Sequence, residues 1–157
     1  MPEPVPVFSS LHVDFLLLAS ARLVLAGLLG ALLGVQRERV HSAAGLRTHI
    51  LVALGAALIV LSGIQSGFGN DASSHVIQGI VAGIGFLGAG TILKIGERAE
   101  VHGLTTAASI WLTAGVGIAA GLGHLWLPLV AAAFGWLVLG PLGRLEKSHR
   151  GAGSPKG

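Results

Sequence analysis

Five long apolar segments constrain what this chain can fold into more than any other feature of its sequence. Each holds about 18 to 21 residues, the length at which an α-helix crosses a hydrocarbon core about 30 Å thick. The segments are residues 15–35, 50–67, 76–93, 104–122 and 125–142. The sequence therefore predicts an all-α integral membrane protein, whose residues 15–143 form a bundle of five transmembrane helices surrounded by the lipid bilayer.

Composition agrees with a membrane environment and excludes several classes of function. Hydrophobic residues make up 52% of the chain and charged residues 11%, whereas soluble domains carry about 25% charged residues. The chain has no cysteine, which excludes disulfides and thiolate chemistry. A GxGxxG match at residues 83–88 lies inside an apolar segment, so it lacks the strand–turn–helix context of a dinucleotide site. We expect no enzymatic activity, no cofactor and no metal site.

The basic residues predict how the bundle is oriented. Nine of the ten Lys and Arg residues fall on one side of the membrane, and these are Arg37, Arg39, Arg47, Lys94, Arg98, Arg144, Lys147, Arg150 and Lys156. The positive-inside rule places this side in the cytoplasm. It predicts an extracytoplasmic segment at residues 1–14 and a basic cytoplasmic tail at residues 144–157, whose composition is typical of disorder. Because topology accounts for the basic residues, no nucleic-acid partner is expected.

Glycines recur at helical spacing inside the apolar segments. Helices in lipid gain from the close approach that small residues allow, so we assign helix packing to Gly27, Gly30, Gly34, Gly79, Gly83, Gly85, Gly88, Gly90, Gly117 and Gly121. Their density predicts that segment three lies at the centre of the bundle. The alternatives are a contact within a homo-oligomer and a deliberately unwound helix, as found in transporters.

Four stretches of the sequence carry a family resemblance. They are RLVLAGLLGALLGVQRER (22–39), AGLRTHILVALGAAL (44–58), VAGIGFLGAGTILK (81–94) and VHGLTTAASIWLTAGVGIAAGLG (101–123). In this order and spacing they resemble the MgtC/SapB membrane proteins of bacteria. The resemblance implies a multi-pass protein of the inner membrane, linked to low-Mg²⁺ adaptation and virulence. It also implies a regulator of other membrane proteins, among them the proton-translocating ATP synthase.

The chain departs from the family pattern in two respects. Many members carry a soluble ACT-like domain after the membrane helices, whereas about 14 residues follow segment five here, so the expectation from the resemblance is a short form. His75 and His102 stand where the family usually has arginine. Because histidine titrates near neutral pH, any role that depends on a fixed positive charge at these positions becomes pH-dependent or is lost.

Arg22 is the charged residue that lies deepest in a predicted span. A buried guanidinium needs partners, so Arg22 either joins helices through Gln78, Asp71 or backbone carbonyls, or forms an anion or regulatory pocket, or contacts lipid headgroups. None of the seven acidic residues lies deep in a span. Since Mg²⁺ prefers carboxylate and water oxygens and cation pathways are commonly lined with acids, this pattern argues against Mg²⁺ conduction.

Charged and hydroxyl residues cluster where segments one and two meet the cytoplasm. Glu38 is flanked by Arg37 and Arg39, and Arg47 and Thr48 follow at the start of segment two. Three interpretations are open for this group: a solvated charge cluster, an ion-paired latch between the two helices, and a docking patch for a partner. Glu38, Arg22, Arg47 and Thr48 are the leading functional candidates.

Segment four places three hydroxyls on one helix face. Thr106, Ser109 and Thr113 follow the spacing i, i+3, i+7. They can bond to a neighbouring helix or to carbonyls of their own helix, or they can line a small polar cavity. Thr105 is predicted to cap this helix, and the positive end of the helix dipole would then favour an anion.

The predicted outer side carries residue types found in metal and proton sensors, namely His12, Asp14, Asp71, His75 and His124. Their spacing matches no metal motif, so solvated loop residues are the expectation and an outer sensor is the alternative. For the whole chain we predict a regulatory inner-membrane protein that binds other membrane proteins. The alternatives are a transporter for Mg²⁺ or another small solute, and a structural subunit of a larger complex.

Overall fold

The computed structural model describes residues 13–95 and 100–142, which fold into five α-helices and one small β-hairpin. The helices are α1 (Val13–Arg39), α2 (Leu46–Gln65), α3 (Asn70–Gly90), α4 (Leu104–Gly121) and α5 (Trp126–Leu137), and a π-helical turn (Val138–Leu142) continues α5. The hairpin strands are β1 (Leu93–Ile95) and β2 (Glu100–His102). The helical fold predicted from the apolar segments is thus confirmed, and a small hairpin is added to it.

Helices α1 to α4 are long and apolar enough to cross a membrane, whereas α5 is shorter. The predicted fifth span ends early as an α-helix because its last residues, VLGPL, form the π-helical turn. Pro141 has no backbone N–H to donate to the preceding turn. The 12 residues of α5 rise about 18 Å, less than the thickness of a hydrocarbon core, so a fifth complete span stays a prediction.

Three helices extend beyond the apolar segments that predicted them. α1 reaches Arg39, α2 begins at Leu46 and α3 begins at Asn70, six residues before the predicted segment. The additional turns are polar, as in the sequence NDASSH at the start of α3. Hydropathy marks the part of a helix that suits hydrocarbon, so it does not detect helical turns that continue into the polar interface.

The hairpin between α3 and α4 was not predicted from the sequence. Its strands pair antiparallel, with Leu93 opposite His102 and Ile95 opposite Glu100. Gly103 ends the hairpin with φ of 94° and precedes the first residue of α4. A Cβ at Gly103 would overlap the carbonyl of Thr91, so both the left-handed backbone and the close approach require glycine here.

Small residues bring α1, α2 and α4 into close contact. A Cβ added to Gly30 would lie 2.7 Å from the His49 carbonyl oxygen of α2, and one added to Gly121 would lie 2.9 Å from the Ala57 carbonyl oxygen. On α4, Gly117 likewise meets the backbone of Ala53. The bundle therefore has a core of three helices whose backbones approach as closely as glycine permits.

The prediction that the third segment is central is wrong, because α4 occupies that position. α4 buries 11 of its residues, whereas the buried residues of α3 are Ile84 and Gly88. A Cβ at Gly79, Gly83, Gly85 or Gly90 would meet nothing within 4 Å. Glycine permits close packing but does not require it. The unwound-helix alternative is also contradicted, since α3 is continuous from Asn70 to Gly90.

An open apolar groove, called the α2–α3 groove below, separates α3 from α2. Its volume is about 660 Å³, and its lining includes Thr48, Gly55, Gly79, Gly83 and Leu87. Helix α3 packs on α4, where Gly88 contacts Ala107 at ordinary van der Waals distance, and on α2 only through a few residues such as Ile77 and Ile80. The bundle thus combines a tight core with one loosely attached helix.

Candidate functional site

Six polar side chains meet inside the apolar bundle, and we call them the polar cluster. They come from α1, the α1–α2 loop, α2 and α4, and they are Arg37, Ser42, His49, Thr106, Ser109 and Thr113. His49 and Thr113 are 0% exposed, Ser109 is 2% exposed and Thr106 is 4% exposed. Polar groups at such positions are costly unless they are hydrogen-bonded, and in membrane proteins they commonly mark functional sites.

Arg37 forms the end of the cluster nearest the α1–α2 loop. Its Nη2 donates to Ser42 Oγ at 2.9 Å and to Thr106 Oγ1 at 2.8 Å, and the two hydroxyl oxygens lie 2.8 Å apart. This triangle links the last turn of α1, the loop and the first turn of α4. The Nε of Arg37 is buried without a hydrogen-bond partner.

His49 forms the deeper end of the cluster. Its Nδ1 lies 2.8 Å from the Gly45 carbonyl oxygen and must donate, because a carbonyl only accepts. Its Nε2 lies 3.1 Å from Ser109 Oγ, and the Ser109 hydroxyl lies 2.8 Å from the Thr106 carbonyl oxygen. Ser109 has one hydroxyl proton, so at any moment it donates either to the Thr106 carbonyl or to the His49 ring.

The glycines of α1 create the space for His49. A Cβ at Gly34 would lie 3.0 Å from the His49 Cβ, and a Cβ at Gly30 would lie 2.7 Å from the His49 carbonyl oxygen. A larger residue at either position would push α2 away from α1 and open the contact that buries the imidazole. The burial of His49 in the polar cluster therefore depends on the close packing at these glycines.

The predicted hydroxyl face of α4 points into this core. Thr113 Oγ1 donates to the Ser109 carbonyl oxygen at 2.8 Å, while Ser109 and Thr106 bond as described above. The predicted cap at Thr105 is wrong: Thr105 is exposed, and α4 starts after Gly103 without a side-chain cap. The left-handed backbone at Gly103 sets the start of the helix, so Thr105 lies in its first turn and not at its cap.

Glu38 connects α1 to α2 without an ion pair among the described residues. Its Oε2 accepts the Leu46 backbone N–H at 2.9 Å, at the first turn of α2. An acceptor with negative charge satisfies a free donor there and opposes the positive end of the helix dipole. Arg47 is exposed next to it, and Thr48 lines the α2–α3 groove, so neither belongs to the polar cluster.

Arg22 lies at the opposite end of α1, about 22 Å from Arg37 by helix rise. Its Nη1 donates to the Gly121 carbonyl oxygen at 3.1 Å. Its guanidinium packs on Gly123, where φ is 88° and a Cβ would lie 2.6 Å from Nη2. Arg22 thus places a positive charge at the negative end of the α4 dipole. Gln78 and Asp71 are exposed on α3 and do not share this contact.

Sequence comparison now assigns a family to this architecture. The model of the MgtC family matches residues 23–148, which include the whole polar cluster. The chain belongs to the MgtC family. It is a multi-pass membrane protein.

Among curated MgtC-family relatives, the protein SrpB of Synechococcus elongatus is 45% identical over 139 residues, covering 82% of this chain and 76% of SrpB. The protein MgtC of Salmonella typhimurium is 46% identical over 109 residues, covering 69% of this chain and 46% of the relative. The protein MgtC of Brucella abortus is 47% identical over 120 residues, covering 74% and 49%. The chain therefore spans about half the length of these MgtC relatives. No solved structure matches it.

For this MgtC-family chain, the sequence predicted part of the cluster and missed the rest. The spacing of Thr106, Ser109 and Thr113 predicts the hydroxyl face. The sequence pattern does not single out Ser42 or His49, and it marks Arg37 only as a cytoplasmic basic residue beside Glu38. The sequence does contain a pattern that could have identified His49. This residue lies four residues before Ala53 and eight before Ala57, and this spacing places the histidine on the same helix face as these small residues.

The remaining candidates on the predicted outer side do not assemble. Asp14, Asp71, His75 and His124 are exposed, and His12 lies outside the described residues. Within residues 13–95 and 100–142, no group of three or more His, Asp or Glu side chains is arranged to hold a metal ion. His102 is exposed at the end of β2, and what the two histidines do in place of arginine is not explained by the structure.

Proposed function

We propose that this MgtC-family chain is a regulatory protein of the bacterial inner membrane that acts by binding other membrane proteins. Its physiological setting is adaptation to low Mg²⁺ and intracellular survival, and the proton-translocating ATP synthase is the leading partner. It has no catalytic activity of its own, its N-terminus lies outside, and the α1–α2 loop faces the cytoplasm. The observation that carries this proposal is the exposed α3 helix with its open groove.

The α2–α3 groove suits a helix of another membrane protein. Gly55 of α2 and Gly79 and Gly83 of α3 line it, and a Cβ at any of them would meet nothing within 4 Å. In lipid, small residues support association because they let helix backbones approach closely. The groove runs beside about 17 Å of α3 between Val76 and Leu87, enough for about three turns of a partner helix.

The alternative function is transport of Mg²⁺ or another small solute. Among the described residues, the charged side chains that hydrogen-bond to α4 are Arg22 and Arg37, both cations held by carbonyl or hydroxyl oxygens. A Mg²⁺ ion prefers carboxylate and water oxygens and would be repelled by both arginines. This charge pattern favours regulation over Mg²⁺ conduction, while an uncharged or anionic solute would meet no such repulsion.

The test compares two substitutions that add the same side chain to opposite faces of α3. Gly83 lines the groove, whereas Gly85 lies about 200° around the helix and faces outward. We would measure ATP-driven proton pumping in inverted membrane vesicles that contain ATP synthase and this chain. The chain is expected to lower pumping, Gly83→Leu to abolish the effect and Gly85→Leu to preserve it.

Two outcomes would contradict the proposal. The first is unchanged pumping with the folded wild-type chain in the vesicles, which would remove ATP synthase as the partner. The second is Mg²⁺ uptake by proteoliposomes that hold the purified chain alone, measured with an entrapped Mg²⁺-sensitive dye and with empty liposomes as control. Uptake above that control would favour the transporter alternative.

A further inference from the structure

Arg37 and its two hydroxyl partners have more hydrogen-bond donors than acceptors. The Nη2 group brings two protons, and the hydroxyls of Ser42 and Thr106 bring one each, while the triangle of contacts uses three of the four. One hydroxyl proton is left over. The Nε–H of Arg37 is buried without a partner, and Nη1 makes no hydrogen bond within the described part of the chain. The group therefore has donors to spare.

The positive charge of Arg37, like its unused hydrogen-bond donors, lacks a matching partner among the described residues. Thr106 is the third residue of α4, so the Arg37 guanidinium lies against the positive end of a helix dipole. Within the chain segments that the structure describes, Arg37 has no ion pair. The neighbouring acid, Glu38, accepts the backbone N–H of Leu46 instead. With no counter-charge among the described residues, two positive partners are unfavourable at the edge of a membrane core.

From these contacts we infer that Arg37, Ser42 and Thr106 form a binding site for a phosphate oxyanion. A phosphate group supplies several negatively charged acceptor oxygens, which match the unused protons, and the planar guanidinium fits it well. Arg37 and Ser42 are only half-buried, so a phosphate can reach them from outside, while the buried Thr106 holds the Arg37 guanidinium in place.

Two sources can present this phosphate. One is the headgroup of a phospholipid, because Arg37 lies in the last turn of α1, where a spanning helix meets the headgroup layer. The other is free inorganic phosphate. The inference does not depend on the proposed regulation of a partner, since it rests on the polar cluster and not on the α2–α3 groove.

The experiment measures lipid and phosphate binding by the purified full chain in a maltoside detergent, which carries no phosphate. Native mass spectrometry would compare phosphatidylglycerol and phosphatidylethanolamine with diacylglycerol, which lacks the phosphate. Thermal unfolding would compare potassium phosphate with potassium chloride at equal ionic strength. Arg37→Gln is the test variant, and Arg39→Gln, the same charge change at an exposed neighbour, is the control.

If lipid is the source, Arg37→Gln weakens binding of both phospholipids by about tenfold or more, the effect of losing a charge-assisted hydrogen bond. Arg39→Gln then leaves binding within about twofold, and diacylglycerol does not bind. If free phosphate is the source, phosphate but not chloride raises the melting temperature of the wild type, and Arg37→Gln abolishes that shift. Arg37→Gln and Arg39→Gln behaving alike in both measurements would overturn the inference.

Arg37→Gln removes a structural contact and can fail to fold. In that case Ser42→Ala decides, because it deletes one hydroxyl of the site in a loop and leaves the guanidinium in place. The expected result is phosphate or phospholipid binding weakened by several-fold, with diacylglycerol still not binding. Binding equal to wild type in Ser42→Ala would assign Arg37 a purely structural role and overturn the inference.

Discussion

Helices α3 and α4 are alike in length and hydropathy, the two properties from which membrane spans are predicted. Nevertheless α4 is buried inside the bundle, whereas α3 is largely exposed. Both are apolar, both carry GxxxG pairs, and both are long enough to cross a bilayer. The difference lies in where their polar residues are. α4 carries Thr106, Ser109 and Thr113 along its length, whereas the polar residues of α3 are concentrated in its first turns, NDASSH.

This comparison shows what glycine and hydroxyl patterns each determine. Hydroxyls within a span need partners that lipid does not supply, so they direct the α4 face inward against His49 and Arg37. Glycines make a surface on which another backbone can lie closely, but they do not determine which backbone it is. In α4 that backbone belongs to α2, and in α3 the surface faces the open groove.

The largest contrast is expected between two histidines. His49→Ala removes a fully buried imidazole with hydrogen bonds to Gly45 and Ser109, so we expect a loss of about 2–4 kcal/mol in the free energy of unfolding from the cavity and the unpaired groups. His75→Ala on exposed α3 is the matched control, with little expected change. Equal melting temperatures for the two purified variants in detergent would contradict the placement of His49.

A second pair of variants compares glycines of the two helices. Gly117→Ala introduces a methyl group that overlaps the backbone of Ala53, whereas Gly83→Ala introduces one into open space. We expect the first to destabilise the protein by about 1–3 kcal/mol, as overpacking does, and the second to be neutral. Fluorescence-detected thermal unfolding in detergent measures both, and a destabilised Gly83→Ala with an intact Gly117→Ala would reverse the comparison.

The smallest contrast concerns one type of hydrogen bond in two environments. Thr113 and Ser74 both donate to the carbonyl four residues earlier in their helices, the first buried in α4 and the second exposed in α3. We expect Thr113→Val to cost about 1 kcal/mol of the free energy of unfolding and Ser74→Ala to cost less than about 0.5 kcal/mol. Denaturant unfolding of both variants checks the order, which equal costs would refute.

Much of the fold followed from the sequence because hydrophobicity reports the surrounding solvent directly. The four long helices, the hydroxyl face of α4 and the close packing at Gly30, Gly34, Gly117 and Gly121 were all predicted. The position of α3 was not predicted, because a sequence does not distinguish a glycine that packs on another helix from one that faces open space. The hairpin was missed because three-residue strands leave no pattern of alternation long enough to detect.

The polar cluster was harder to predict because its members are far apart in the chain. Arg37 and Thr106 are separated by 69 residues, and His49 and Ser109 by 60. No spacing rule within one helix connects them, and only the packing of α1, α2 and α4 does. Arg22 and Glu38 were identified as important positions, but their partners are a carbonyl and a backbone N–H, which side-chain patterns do not reveal.

The central claim is that α4 is buried and α3 is open to its surroundings, and nitroxide accessibility tests it most directly. The chain has no cysteine, so single cysteines introduced along α3 and α4 can be spin-labelled without removing native thiols, and oxygen accessibility can be measured in liposomes. High accessibility is expected at Gly79, Gly83, Gly85 and Phe86 of α3, with low values at Ile84 and Gly88. Along α4, high values are expected at Trp111 and Gly115 and low values at Ile110, Thr113 and Val116. Low accessibility throughout the α3 positions, in the purified chain alone, would contradict it.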